Sequence, residues 1–121
     1  MNNYGRIKVV ENYKNGLLNG NKKSYYDDGK VQEDGNWSDG KRMGLSKWFR
    51  MDGTPSLEYT YDHGSIQGTS KEYDEKGRVK KEGNYTNDNE NGEWSVYQDS
   101  ILVKKIIYKG GQIVKEIPVK K

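Results

Sequence analysis

The sequence predicts an all-β fold: a repeat of antiparallel β-hairpins, about 24 residues each, forming one elongated twisted sheet. Three observations predict it. Aromatic residues recur at Tyr13, Trp37, Tyr61 and Tyr85, 24 residues apart, with Tyr108 one residue early. Glycines keep phase with them: Gly16, Gly40 and Gly64, then Gly20, Gly44, Gly68 and Gly92, then Gly29, Gly53 and Gly77. A second aromatic series, Tyr25, Phe49, Tyr73 and Tyr97, runs at the same spacing. A fixed period of about 20–50 residues marks a repeat architecture, whose units bury apolar surface mainly against their neighbours.

The elements follow in order. A half unit, 4–13, supplies a lone strand at 6–13, and Gly5 fits the glycine phase when counted backwards. Full units occupy 13–36, 37–60, 61–84 and 85–108, and a C-terminal cap occupies 109–121, all in a single domain, 1–121. Each unit opens on loop chemistry such as Asn15-Gly16, because Asn-Gly steps supply the positive φ of tight connections. Strand pairs then fall near 20–27 and 30–37, 44–50 and 54–61, 68–74 and 77–85, and 92–98 and 101–108. A last strand, about 112–117, precedes Pro118, and a proline there suits an edge. No helix is expected.

Period-two alternation assigns the faces. One face is expected to carry Tyr25, Val31, Trp37, Phe49, Leu57, Tyr59, Tyr61, Tyr73, Val79, Tyr85, Tyr97, Leu102, Ile106 and Tyr108. Asp34, Asn36, Glu58, Thr60, Glu82 and Asn84 then belong to a polar face. Lys23, Lys47 and Lys71 fall on the apolar face, where their stems would cover aromatic rings while the ammonium groups reach water. Trp94, Val96, Ile101, Val103 and Ile107 break the pattern by falling on the polar face, and Trp48 does so in the second unit. Such residues fit either a packed cap or an exposed partner-binding patch.

Composition agrees with a thin fold. Hydrophobic residues make up 31%, charged residues 32%, and mean hydropathy is −1.19. Those values lean towards disorder, but ten Tyr, three Trp and one Phe in fixed phase argue for a sheet with one apolar face. Cysteine is absent, so disulfides and thiol chemistry are excluded. No signal-peptide pattern opens the chain and no stretch is long enough to cross a bilayer as a helix, so a cytoplasmic location is expected. Residues 1–99 hold 15 Lys/Arg against 17 Asp/Glu, whereas residues 100–121 hold six Lys and one Glu. An acidic body with a basic end is a poor footprint for nucleic acid.

The unit Tyr-x-x-Gly-x-x-x-Gly, followed by aromatic-x-x-x-Gly, is clearest at Tyr61, Gly64, Gly68, Tyr73 and Gly77. It resembles the MORN-variant repeat of bacteria over about residues 4–111. Compact proteins of this kind look like the YwqK-type antitoxins. The resemblance implies a hairpin-repeat sheet and an antitoxin or immunity protein that binds a cognate toxin and occludes its active site. The fourth unit departs most, with Asp88 in a glycine phase and a shortened turn at 98–100.

No enzyme chemistry is expected. His63 is the single histidine and sits in a turn, so a histidine-based metal cluster is excluded, and without Cys a zinc site of the usual ligands is not expected. The oxygen-rich loop 87–93 lacks EF-hand spacing. No cofactor, metal, nucleic acid or membrane is expected. The residues expected to bind a protein partner are the non-repeating ones, Trp48, Arg50, Trp94 and Val96, with Asp88, Glu90 and Glu93 as an acidic loop. An acidic body would suit a toxin with a basic, nucleic-acid-handling cleft. The rival expectations are a structural scaffold or self-associating module, pairing as a homodimer through a sheet edge, and a membrane-surface adaptor acting through the Lys-rich end.

Overall fold

A computed structural model of the chain describes residues 8–119. The half unit 4–13 and the start of its strand lie partly outside these residues. Two short strands, β1 (Val9–Val10) and β2 (Tyr13–Lys14), are followed by β3 (Leu17–Leu18), β4 (Gly20–Tyr25), β5 (Val31–Ser38) and β6 (Lys41–Arg42). Then come β7 (Gly44–Phe49), β8 (Pro55–Asp62), β9 (Ser65–Tyr73), β10 (Val79–Thr86), β11 (Asn89–Gln98), β12 (Ile101–Lys109) and β13 (Gln112–Pro118). Sheet order is β1-β4-β5-β7-β8-β9-β10-β11-β12-β13, with β6 beside β5 and β2-β3 as a separate ribbon. Every pairing is antiparallel. The fold class is as the sequence predicts.

Two turn rows border the sheet. The Tyr-x-x-Gly segments are themselves tight hairpins. Asn15-Gly16, Asp39-Gly40 and His63-Gly64 all have positive φ, the two-residue form that matches strand twist. Asn87-Asp88 keeps the form without glycine, at φ 50° and 70°. Successive turns are stitched: Gly40 N donates to Leu18 O (2.8 Å), Gly64 N to Arg42 O (2.9 Å), Asp88 N to Ile66 O (3.0 Å) and Gly111 N to Glu90 O (3.0 Å).

The faces differ from simple alternation, and β-bulges are the reason. Pairing shifts by one residue at Gln32, Ser56, Lys80 and Val103, near the turn end of each hairpin. A one-residue slip moves side chains to the other face. Tyr25 therefore pairs with Val31, Tyr73 with Val79 and Tyr97 with Leu102 on the face opposite Trp37, Tyr61 and Tyr85. Phe49 pairs with Pro55 there too. Conversely Trp48, Trp94 and Val96 join the Trp37 face, because Trp48 lies opposite Leu57, Val96 opposite Lys81, and Trp94 opposite Ile106. The expected position of Trp94 and Val96 on the polar face is corrected. Ile107 does lie there, opposite Glu93 and Lys115.

The three lysines are also reassigned. On the second face Lys23 pairs with Asp34, Asp34 with Lys47, Lys47 with Glu58, Glu58 with Lys71 and Lys71 with Glu82. Alternating charges across neighbouring strands favour this register by roughly 0.2–1 kcal/mol per pair. Tyrosine hydroxyls join the acids: Tyr73 donates to Glu58 Oε1 (3.1 Å) and Tyr97 to Glu82 Oε2 (2.7 Å).

The first face holds the core as one intercalated ladder. Rings meet edge to face from Trp48 to Tyr59 (5.8 Å), Tyr59 to Tyr85 (5.5 Å), Tyr85 to Trp94 (5.3 Å) and Trp94 to Tyr108 (5.7 Å). Each such contact contributes about 0.5–1.5 kcal/mol beyond area burial. Small residues make the room: Gly35 lies under Trp37, Ser46 and Arg42, and Gly83 lies under Trp94. Cations fill the rest. The Arg42 guanidinium stands 4.2 Å from the Trp37 ring and 5.4 Å from Tyr61, and Lys81 Nζ stands 5.3 Å from Trp94. Trp94, Ile106 and Tyr108 form the buried centre, with Tyr85 and Val96 against it.

Candidate protein-binding surface

The structure does not gather the sequence-nominated residues into one patch. Trp94 is fully buried, and its Nε1 donates to Asn84 O (3.1 Å), so its indole is core. Val96 packs against that core. Trp48 is half-buried between Tyr59 and Arg42. Arg50 joins repeats, donating from Nη2 to Tyr73 O (2.7 Å).

The acidic loop is engaged locally. Asp88 accepts from Ile66 N at 2.7 Å, fastening one turn to the next. Glu93 accepts from Lys105 Nζ at 2.9 Å on the charged face. Glu90 lies opposite Tyr85, on the ladder face.

Ionisation follows the same packing. Burial, and then the nearby Glu58 carboxylate, push the Tyr73 phenol up to about 12. Burial raises Tyr85 further, helped by the Tyr59 hydroxyl. Hydrogen bonds from Thr54 hold Asp52 below the usual carboxylate range, and those from Arg78 do so for Asp74. Arg78 bridges Asp74 (2.8 Å) and Asp99 (2.9 Å) beside a cleft of about 350 Å³, so its guanidinium charge is already paired with two carboxylates. These groups secure turns.

Exposed apolar residues lie at both ends of the described sheet, Val9, Val10, Tyr13 and Leu17 at one and the last hairpin at the other. Ile101, Ile113, Val114, Ile117 and Val119 are 38–62% exposed. Lys109 and Lys115 have no acidic partner within ion-pair distance among the described residues, while Lys104 pairs with Glu116 (2.9 Å). Exposed apolar side chains on a strand with a free edge offer both contact area and open backbone groups to a partner. The signal was present in the sequence as an apolar strand, 112–117, ending at a proline that suits an edge.

The backbone of β13 is specific too. Val119 N donates to Val103 O (2.9 Å), so the amide of residue 119 faces β12. Backbone groups alternate along a strand, so Glu116 presents its N–H and C=O outward, and Pro118 presents a C=O without an N–H.

The profile of the MORN repeat variant matches residues 18–39 and 66–87. Each match spans the end of one tight turn, a hairpin and the next turn, so these two segments are similar to the MORN repeat variant. No curated protein matches the chain. Among the described residues, no helix is long and apolar enough to cross a membrane.

Proposed function

We propose that this chain is a non-enzymatic, cytoplasmic protein-binding module of the antitoxin or immunity type, which neutralises a cognate toxin by covering its active site. MORN repeats generally mediate protein–protein interaction, and the finer reading rests on the sequence resemblance of the repeat unit, clearest at Tyr61, Gly64, Gly68, Tyr73 and Gly77, to YwqK-type antitoxins. The observation that carries the binding role is the exposed apolar and cationic surface of β12–β13. The repeats behind it act as a rigid support.

The experiment is expression of the neighbouring open reading frame with and without this chain. Rescue of growth and a co-purified complex are the expected result, and Ile117→Asp with Val114→Asp removes both while the chain stays folded. A neighbour that is harmless, or toxic regardless of this chain, ends the antitoxin reading.

A further inference from the structure

We propose that β13 receives one extended strand of a partner protein, an acidic strand that alternates with apolar residues and continues the sheet. This rests on the protein-binding reading and names the occupant of that surface. Among the described residues β13 has β12 as its one neighbour. Its outward groups, Glu116 N–H and C=O and Pro118 C=O, are unpaired backbone donors and acceptors that a strand can satisfy. Lys115 and Ile117 share the charged face, and Ile113 lies on the ladder face opposite Tyr108. Alternation puts the incoming carboxylates on the charged face, where one meets Lys115, and the apolar residues on the ladder face, where one meets Ile113. Residues 101–119 hold four Lys and one Glu, so the complement is acidic.

A second copy fits badly. Antiparallel pairing of β13 with itself keeps like faces opposite. Centred on Glu116 it sets two carboxylates together; centred on Lys115, two ammonium groups. Centred on Ile117 it opposes Glu116 to Pro118, which returns no N–H. These three registers disfavour a symmetric pair of β13 strands and leave the edge open to a foreign one.

The test uses the full chain and three synthetic nine-residue peptides: Val/Glu alternating, its Val/Lys twin, and the Val/Glu peptide N-methylated on alternate amides. The Val/Glu peptide is expected to bind by fluorescence anisotropy and to slow exchange of the Glu116 amide. Each of the other two binds at least about tenfold more weakly, through lost charge complementarity or lost ladder hydrogen bonds. Equal binding of both charge twins overturns the proposal, as does binding without protection of Glu116, or no binding at all. Protection of Glu116 that grows with protein concentration, without peptide, overturns it in favour of a second copy. Rescue from a toxic neighbour alongside failure of all three peptides would retire this strand and leave the antitoxin reading standing.

Discussion

Trp94 lies directly on Gly83: a Cβ built on that glycine would stand 2.2 Å from Trp94 Cδ2. The pair closes the ladder between Tyr85 and Tyr108. Trp94→Ala is expected to cost about 3–5 kcal/mol in urea unfolding, and Gly83→Ala about 1–3 kcal/mol through overpacking. With the ring gone the added methyl has room, so the double variant should be more stable than the sum of single losses implies. Strict additivity would mean that the two do not share this contact.

Ser46 and Ser70 occupy the same place in successive repeats, both buried, with different surroundings. Ser46 Oγ accepts from Arg42 Nη1 at 3.0 Å, whereas Ser70 Oγ has no partner. Ile66 stands in the third unit where Arg42 stands in the second. Ser46→Ala should therefore destabilise by about 1 kcal/mol, and Ser70→Ala should be neutral or stabilising by a similar amount. Equal losses at both sites would contradict this difference.

Tyr73 supplies a pH dependence of defined sign. Its folded-state pKa, about 12, exceeds the ordinary tyrosine value of 10.0, so the folded chain holds this proton more tightly. That contribution is complete below pH 10 and is lost as pH rises towards 12. Chemical-denaturation midpoints should fall across this window, and less steeply in Tyr73→Phe. An unchanged slope in that variant would remove Tyr73 as a source.

Pro118 limits the sheet at its outer edge. Pro118→Val restores an outward N–H beside Glu116 and extends the row of exposed apolar residues. Sedimentation should show the native chain independent of concentration and the variant self-associating, since free hydrophobic edges pair with other chains. A variant that stays monomeric would show that proline is not the guard.

Much of the fold is legible in the sequence because turn residues act locally. Gly29, Gly53 and Gly77 mark one turn row, and Asn15, Asp39 and His63, each before a glycine, mark the other. Strand bounds from Gly20 to Lys109 follow with small errors. The faces are not legible by period-two counting, because Gln32, Lys80 and Val103 each add a residue without adding a ladder pair. Trp94 was hidden for that reason. A column comparison exposes it: Trp94 stands where Ser46 and Ser70 stand, and Gly83 where Tyr59 stands, a large-for-small exchange that only packing explains. Arg50 and Asp88 look free in sequence because their acceptor and donor lie 23 and 22 residues away, in the next or preceding repeat.

The reversal of Trp94 from surface to core is what moves the binding surface to β13, so its burial is the decisive quantity. The chain has three tryptophans, and 5-fluorotryptophan labelling gives each its own fluorine resonance, assigned by single Trp→Phe variants. The signal of Trp94 should be insensitive to a soluble paramagnetic chelate, while those of half-buried Trp37 and Trp48 broaden. Broadening of Trp94 equal to theirs would put the indole back on the surface and contradict the ladder on which the account stands.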